Sequence, residues 1–98
     1  SSGVTSGSMP KLTTVTIPAS GWGGFSSPYS QVVTVNGVNV NSRLELLPTP
    51  AQISELQAAE ISLTVTNNNG VVTLYSFYGK PENDLVMQIL ITDVEVIS

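Results

Sequence analysis

The sequence predicts a mainly β protein: an antiparallel β-sandwich, or a flattened barrel, of about seven strands with one short helix. Two observations support this prediction. Short segments of alternating apolar and polar residues recur along the chain, and clusters of Gly, Pro and Asn separate them. The chain has 98 residues, which suits one domain with a modest core. We assign residues 1–10 to a flexible linker or expression scar and residues 11–98 to a single β-sandwich domain.

The half of the chain before the helix consists of extended segments. Their side chains alternate and many are β-branched, which favours strands. Asn36-Gly37 is a dipeptide typical of tight hairpin turns, so the residues after it should pair with those before it. The predicted strands cover residues 12–17, 29–35 and 43–47, with a short paired or extended segment over residues 38–40.

Residues 49–59 contain the one helix signal. Thr49 can be the N-cap, a proline follows it, and Gln52 stands where a capping box requires Glu or Gln. Ile53 and Leu56 are three residues apart and can face a sheet. About three turns of helix need tertiary packing to be stable.

A β-hairpin follows the helix. Residues 61–66 alternate cleanly, residues 67–70 read Asn-Asn-Asn-Gly, and residues 71–78 return as a strand. The aromatic residues of this second strand, Tyr75, Phe77 and Tyr78, are more typical of core and cross-strand packing than of a binding platform.

The last strand, residues 85–97, is the most apolar element and has two apolar faces. Such a strand is either central in a sandwich or covered by another subunit. A polar amide at Gln88 can make symmetric contacts around an axis, which favours an oligomer interface through Val86, Gln88 and Leu90. The low charged fraction, 10%, fits a surface that another subunit covers, although a surface of Ser, Thr and Asn would also explain it.

Composition excludes several functions. The chain has no Cys and no His, so it lacks a thiolate nucleophile, a zinc–thiolate site and the commonest general base. Its three basic residues are scattered and its net charge is −4, which argues against a nucleic-acid partner. No segment resembles a signal peptide or is long enough to span a membrane. We therefore expect no membrane partner, no catalytic residue, no cofactor, no metal ion and no enzymatic activity.

Polar residues that could suggest chemistry have simpler explanations. Ser20 lacks the flanking glycines of a nucleophile elbow and reads as a turn serine. The acidic and amide residues at positions 82–84 lack the spacing of a calcium loop, so Asp84 should bond local backbone N–H groups. Glu55 and Glu60 cannot be placed near another carboxylate, and a small carboxylate hydrolase is only a third hypothesis.

Three aromatic residues, Trp22, Phe25 and Tyr29, lie in or beside a Gly- and Pro-rich loop. If exposed, they could stack on a sugar ring or anchor a protein partner. If buried, Trp22 would close one end of the sandwich while neighbouring glycines let the chain wrap around it. We favour burial and keep the three residues as a possible ligand contact.

The chain reads Ile-Pro-Ala-Ser-Gly-Trp at residues 17–22, Pro-Tyr-Ser-Gln at residues 28–31 and Pro-Glu-Asn-Asp-Leu at residues 81–85. These motifs resemble a small C-terminal domain found in bacteriophage and prophage structural proteins. The family's start reads approximately "LPASGW…PYTQTVTVSGV", and its end approximately "P-x-x-D-L-x-x-x-x-L-I". This chain is similar at residues 17–22, 28–38 and 81–91, and the resemblance covers about residues 12–92. It departs from the family after the helix, where residues 61–66 replace a Cys- or Thr-rich strand, and at residues 92–98, which extend beyond the usual end.

The resemblance implies a non-enzymatic virion structural protein. Such a domain would be a trimerising tip or assembly module of a fibre, tail, baseplate or head-fibre protein. Its partners would be copies of itself, other virion proteins and a host-surface glycan, and its place would be the phage particle, outside cells after release. A carbohydrate-binding module that uses the loop aromatics is the alternative. The resemblance supplies no catalytic residue.

Overall fold

The structure, a computed structural model, describes residues 10–93. These residues form two antiparallel three-stranded sheets that share one core, so the predicted β-sandwich is confirmed. The predicted strand number was slightly too high, since the described residues form six strands rather than about seven. Most of the predicted N-terminal linker, residues 1–9, and the end of the predicted last strand, residues 94–97, lie outside the described residues.

Consecutive strands lie in different sheets, except for the two strands of one hairpin in the second sheet. The first sheet has the strand order β1-β6-β3, and the second has the order β2-β5-β4. In chain order the elements are β1 Lys11–Ile17, a 3₁₀ turn Ala19–Gly21, β2 Tyr29–Val33, β3 Ser42–Leu47, α1 Pro50–Ala58, β4 Ser62–Asn68, β5 Val71–Phe77 and β6 Leu85–Asp93.

Strand β6 lies at the centre of the first sheet, paired with β1 and β3, and presents a row of apolar side chains to the core. Met87, Ile89 and Ile91 are all buried, and they alternate with residues on the outward face, as the pleat requires. Val15 on β1 lies opposite Met87 and is buried with it. Burial in the core therefore explains one of the two apolar faces that the sequence shows in this strand.

The second sheet is organised around the β4–β5 hairpin. Asn68 pairs with Val71, which leaves a two-residue turn of Asn69 and Gly70. Both have positive φ, 54° and 90°, as the turns that match strand twist require. The Gly70 amide donates to the Asn67 side-chain oxygen at 2.8 Å. The predicted hairpin is confirmed, with a shorter loop than the four residues that the sequence suggested.

The second predicted hairpin, at Asn36-Gly37, was wrong. Strand β2 ends at Val33, and β3 lies in the other sheet, so the residues between them cross the edge of the sandwich instead of pairing. Val35 and Val38 are partly buried against the core. Their apolar alternation therefore reflects a packed crossover, and residues 38–40 form no strand.

The core is a single cluster between the sheets. Both sheets contribute, and Trp22 from the loop before β2 joins them. Three buried polar residues, Gln31, Ser42 and Ser76, lie beside the apolar ones. The buried apolar members are Val15, Ile17, Trp22, Val33, Val72, Leu74, Met87, Ile89 and Ile91.

The helix begins with the predicted capping box. The Thr49 amide donates to Gln52 Oε1 at 2.9 Å, and the Gln52 amide donates to Thr49 Oγ1 at 3.2 Å. The Gln52 side chain also donates to the Val86 carbonyl at 2.7 Å, which joins α1 to β6. The predicted apolar face is not buried, because Ile53 is 51% exposed and Leu56 is only partly buried. Capping and this side-chain bond, rather than burial of a stripe, fix the helix.

Candidate functional site

The three loop aromatics have different surroundings. Trp22 is 7% exposed and belongs to the core, whereas the Phe25 side chain is fully exposed. Tyr29 is partly buried, and the Lys80 ammonium lies 5.3 Å from its ring centroid. Burial of Trp22 agrees with the packing role that the sequence favoured. Phe25 is the member of this group that is open to a ligand.

Gln31 and the glycines of the loop hold Trp22 in place. The Gln31 side chain donates to the Pro18 carbonyl at 3.0 Å and lies so close to Gly21 that a Cβ there would collide with it. Gly23 and Ser30 form a two-bond backbone bridge. Within residues 10–93, the Trp22 indole N–H has no hydrogen-bond acceptor. The loop therefore wraps tightly around a ring that packing, not hydrogen bonding, retains.

The predicted interface residues lie on the outward face of the first sheet. Val86 is 54% exposed, Gln88 is exposed and Leu90 is partly buried. The strand register places uncharged residues of β1 beside all three, but on β3 it places Glu45 opposite Leu90 and Leu47 opposite Gln88. We call this surface the first outer face; it comprises Leu12, Thr14, Thr16, Glu45, Leu47, Val86, Gln88 and Leu90.

The carboxylates are dispersed rather than gathered. Among residues 10–93, no group of three acidic side chains is placed to hold a metal ion. Asp84 Oδ1 accepts from the Ala19 amide at 2.8 Å. The prediction that Asp84 bonds local backbone was therefore wrong, because its partner is 65 residues away. This bond instead joins the turn before β6 to the 3₁₀ turn after β1.

Asp93 is the titratable group with a distinct environment. The Ser42 hydroxyl donates to its Oδ1 at 2.6 Å, and the Lys11 ammonium lies 3.5 Å from its Oδ2. The Ser42 bond, followed by the Lys11 charge, lowers the pKa of Asp93, against the raising effect of desolvation. This cluster joins β1, β3 and β6 at one end of the first sheet and has a structural role.

Two concave surfaces lie near the helix. The larger, of about 600 Å³, lies between α1 and the turn before β6, and three carboxylates, Glu55, Glu82 and Asp84, help to line it. The smaller, of about 410 Å³, is an open groove at the C-terminal end of α1. Its lining residues are Gln57, Glu60, Ile61, Ser62 and Tyr78, and we call it the helix-end groove.

Sequence reasoning missed Tyr78. The alternation predicts it as the end of a strand with a packing role, but β5 ends at Phe77 and Tyr78 is 81% exposed. Its φ is 76°, a left-handed conformation that turns it out of the strand. The adjacent Gly79 was a possible sign that the strand ends here.

Comparisons with protein-family models, curated proteins and solved structures found no match to this chain. The likeness to phage structural domains therefore remains a prediction from sequence motifs. Among residues 10–93, no helix is long and apolar enough to cross a membrane.

Proposed function

We propose that this chain is a non-enzymatic structural domain of a phage virion that assembles as a homotrimer. It would act as a tip or assembly module of a fibre, tail, baseplate or head-fibre protein. There it would meet other virion proteins and the host surface, as part of a particle that is extracellular after release. The motifs at residues 17–22, 28–38 and 81–91 suggest this class.

The observation that most supports assembly is the chemistry of the first outer face. It spans all three strands, and Glu45 is the one charged residue among its eight. Leu12 and Val86 are each more than half exposed. Water contact with these side chains is unfavourable, and charged residues, which normally keep a free surface soluble, are few here: Glu45 lies opposite Leu90, and Arg43 lies at the border. A neighbouring copy of the chain that covers this face would remove Leu12 and Val86 from water.

The size of this face limits how strongly it can associate. Three strands about 4.8 Å apart and roughly 23 Å long give a flat area of about 300 Å². A stable interface buries about 800 Å² on each partner. A closed trimer uses two different patches of each subunit, so this face would be one of them. Weak sites held together in this way can still bind a host surface through avidity.

Sedimentation tests the proposal directly. The wild-type chain should form a trimer at high micromolar concentration in analytical ultracentrifugation. Val86→Glu and Leu90→Glu together should shift it to monomer, because they bury unpaired charges in the middle of the contact. Val32→Glu is the matched control, since Val32 is 64% exposed but lies on the second sheet. A wild-type monomer at high micromolar concentration would refute the assembly.

The second candidate is a carbohydrate-binding module that uses Trp22, Phe25 and Tyr29. The full exposure of Phe25 favours it, because an exposed ring can stack on the apolar face of a sugar. Burial of Trp22 leaves Phe25 as its principal contact. Glycan-array binding that is lost in Phe25→Ala, with the fold intact by circular dichroism, would support this candidate. Binding that Phe25→Ala leaves unchanged would refute it.

A further inference from the structure

Two residues near the C-terminal end of α1 have a backbone conformation that their side chains disfavour. Among residues 10–93, three non-glycine residues have positive φ: Glu60 at 59°, Asn69 at 54° and Tyr78 at 76°. Asparagine tolerates this region, and Asn69 stands in a turn that requires it. The side chains of glutamate and tyrosine do not make the local hydrogen bond by which asparagine offsets the steric cost of the left-handed conformation. Such residues persist where the structure holds them and often mark ligand contacts.

Glu60 ends the helix in a position that glycine usually occupies. The Glu60 amide donates to the Gln57 carbonyl at 3.0 Å, and the Ile61 amide donates to the Leu56 carbonyl at 2.9 Å. This is the Schellman pattern, in which the residue with positive φ is most often Gly. The end of the helix requires a positive φ at position 60, but it does not require the carboxylate side chain of Glu60.

Tyr78 is held in a similar way. Its amide donates to Ser27 Oγ at 2.8 Å, and the neighbouring Ser76 hydroxyl donates to the Gly79 carbonyl. These bonds fix the backbone, while the side chain remains 81% exposed. An exposed tyrosine that packs little contributes little to stability. Its ring is therefore presented to solvent by a backbone that the fold constrains.

Both side chains line the helix-end groove. The groove is shallow and open to solvent, with a volume of about 410 Å³. Tyr78 supplies an aromatic face, and Glu60 supplies hydrogen-bond acceptors. The Gln57 amide and the Ser62 hydroxyl can each both donate and accept. Of the described residues, none that lines the groove is cationic.

We propose that the helix-end groove binds a neutral saccharide, with Tyr78 stacked on the sugar ring and Glu60, Gln57 and Ser62 bonded to its hydroxyls. Sugar hydroxyls are donors and acceptors together, as are the amide and hydroxyl of this groove. An anionic ligand would meet the Glu60 carboxylate without a compensating cation. A cationic ligand would pair with one exposed carboxylate and one exposed ring, contacts that each contribute little to affinity when they face solvent.

This inference names a ligand for the host contact in the proposed function, and the biological role of the site rests on that proposed function. The groove is lined by one copy of the chain, so binding should not require assembly. The two can therefore fail separately: sedimentation tests the trimer, and ligand titration tests the groove.

Nuclear magnetic resonance titration of the ¹⁵N-labelled full chain tests the site. The probes are chitotetraose and maltotetraose, both neutral, with 3′-sialyllactose as the anionic comparison. We expect at least one neutral probe to shift the amides of Glu60, Ser62 and Tyr78 at millimolar concentration, and sialyllactose to shift them at least tenfold less at the same concentration. No shift with either neutral probe, or an equal or larger shift with sialyllactose, would overturn the proposal.

Variants separate binding from folding. Tyr78→Asn removes the ring but tolerates positive φ, so it should fold and lose at least tenfold in affinity, whereas Tyr78→Phe should retain binding.

Glu60→Gly should raise the melting temperature by roughly 3–6 °C and weaken binding at least tenfold. Asn69→Gly is the control, with unchanged affinity. Phe25→Ala should also leave affinity unchanged, because Phe25 does not line the groove. Retained binding in Tyr78→Asn and Glu60→Gly would refute the site.

Discussion

The two sheets contribute different things to the interior. The inward face of β6 in the first sheet is aliphatic, and Ile17, Ile89 and Ile91 are at most 1% exposed. The inward face of the second sheet mixes Leu74 with the polar residues Gln31 and Ser76. The first sheet therefore supplies most of the uninterrupted apolar packing. The second sheet uses buried polar groups to hold the loops around it.

The first sheet therefore contributes mainly to stability, and the polar side chains of the second sheet mainly position its loops. The Gln31 and Ser76 side chains bond the backbone at Pro18 and at Gly79, and these bonds fix the loop around Trp22 and the turn beside Tyr78. Buried polar groups that are satisfied specify one geometry. The surfaces that we propose to be functional follow the same division. The first outer face lies on the apolar sheet, and the helix-end groove lies beside the sheet with polar bonds.

The largest expected effect is the loss of aliphatic packing in the first sheet. Ile89 is fully buried, so Ile89→Ala should lower the free energy of unfolding by about 3 kcal/mol. Val86→Ala on the same strand removes a half-exposed side chain and should cost about 0.5 kcal/mol or less. Urea unfolding at one fixed protein concentration measures both, because assembly makes stability concentration-dependent. Similar losses in the two variants would contradict the assignment of inner and outer faces.

A smaller effect is expected for a polar bond that joins the sheets. The Asn67 side-chain amide donates to the Asn39 carbonyl at 2.7 Å and to the Ser42 carbonyl at 2.8 Å. Asn67→Ala removes both bonds, together with the bond that its side-chain oxygen accepts from the Gly70 amide, and should lower the free energy of unfolding by about 2 kcal/mol. Asn68→Ala is the control, because Asn68 is the exposed neighbour on the same strand and should change stability by about 0.5 kcal/mol or less. Equal effects would show that the bonds across the sheets contribute nothing specific.

The smallest expected effect is a change in how the melting temperature falls at acid pH. The pKa of Asp93 is lowered in the folded protein, chiefly by the Ser42 hydroxyl. Its stabilising contribution is therefore present above its ordinary pKa of roughly 3.9 and is lost as pH falls through the lowered value. Ser42→Ala should make the fall in melting temperature below about pH 4 shallower. Ser62→Ala, at an exposed position, should leave that slope unchanged. An unchanged slope in Ser42→Ala would show that this bond does not couple Asp93 to folding.

The sequence predicted local structure best where one short-range cause dominates. The capping box at Thr49 and Gln52 depends on residues three apart, and the turn at Asn69-Gly70 depends on two residues that accept positive φ. The inward row of β6 follows from strict alternation. The same signals were insufficient at Asn36-Gly37. A dipeptide can favour a turn, but pairing of the flanking segments depends on which sheet each strand joins.

The candidate sites were only partly predictable for the same reason. The sequence placed Val86, Gln88 and Leu90 on one face of a strand, and the structure shows that their neighbours on β1 and β3 include one charged residue, Glu45. It grouped Trp22 with Phe25, although one is buried and the other exposed. Tyr78 and Glu60 were not grouped at all. They line one groove because α1 ends beside the β4–β5 pair, although the two residues are distant in sequence.

The sequence by itself determined the fold class, the single helix with its cap, the β4–β5 hairpin and the two-faced last strand, because each follows from the chemistry of neighbouring residues. The tertiary structure decided which strands pair, which aromatics are buried and which side chains share a groove. Those outcomes depend on packing between elements far apart in the chain. Pairing partners and burial are properties of the assembled sandwich, and local residue patterns do not specify them.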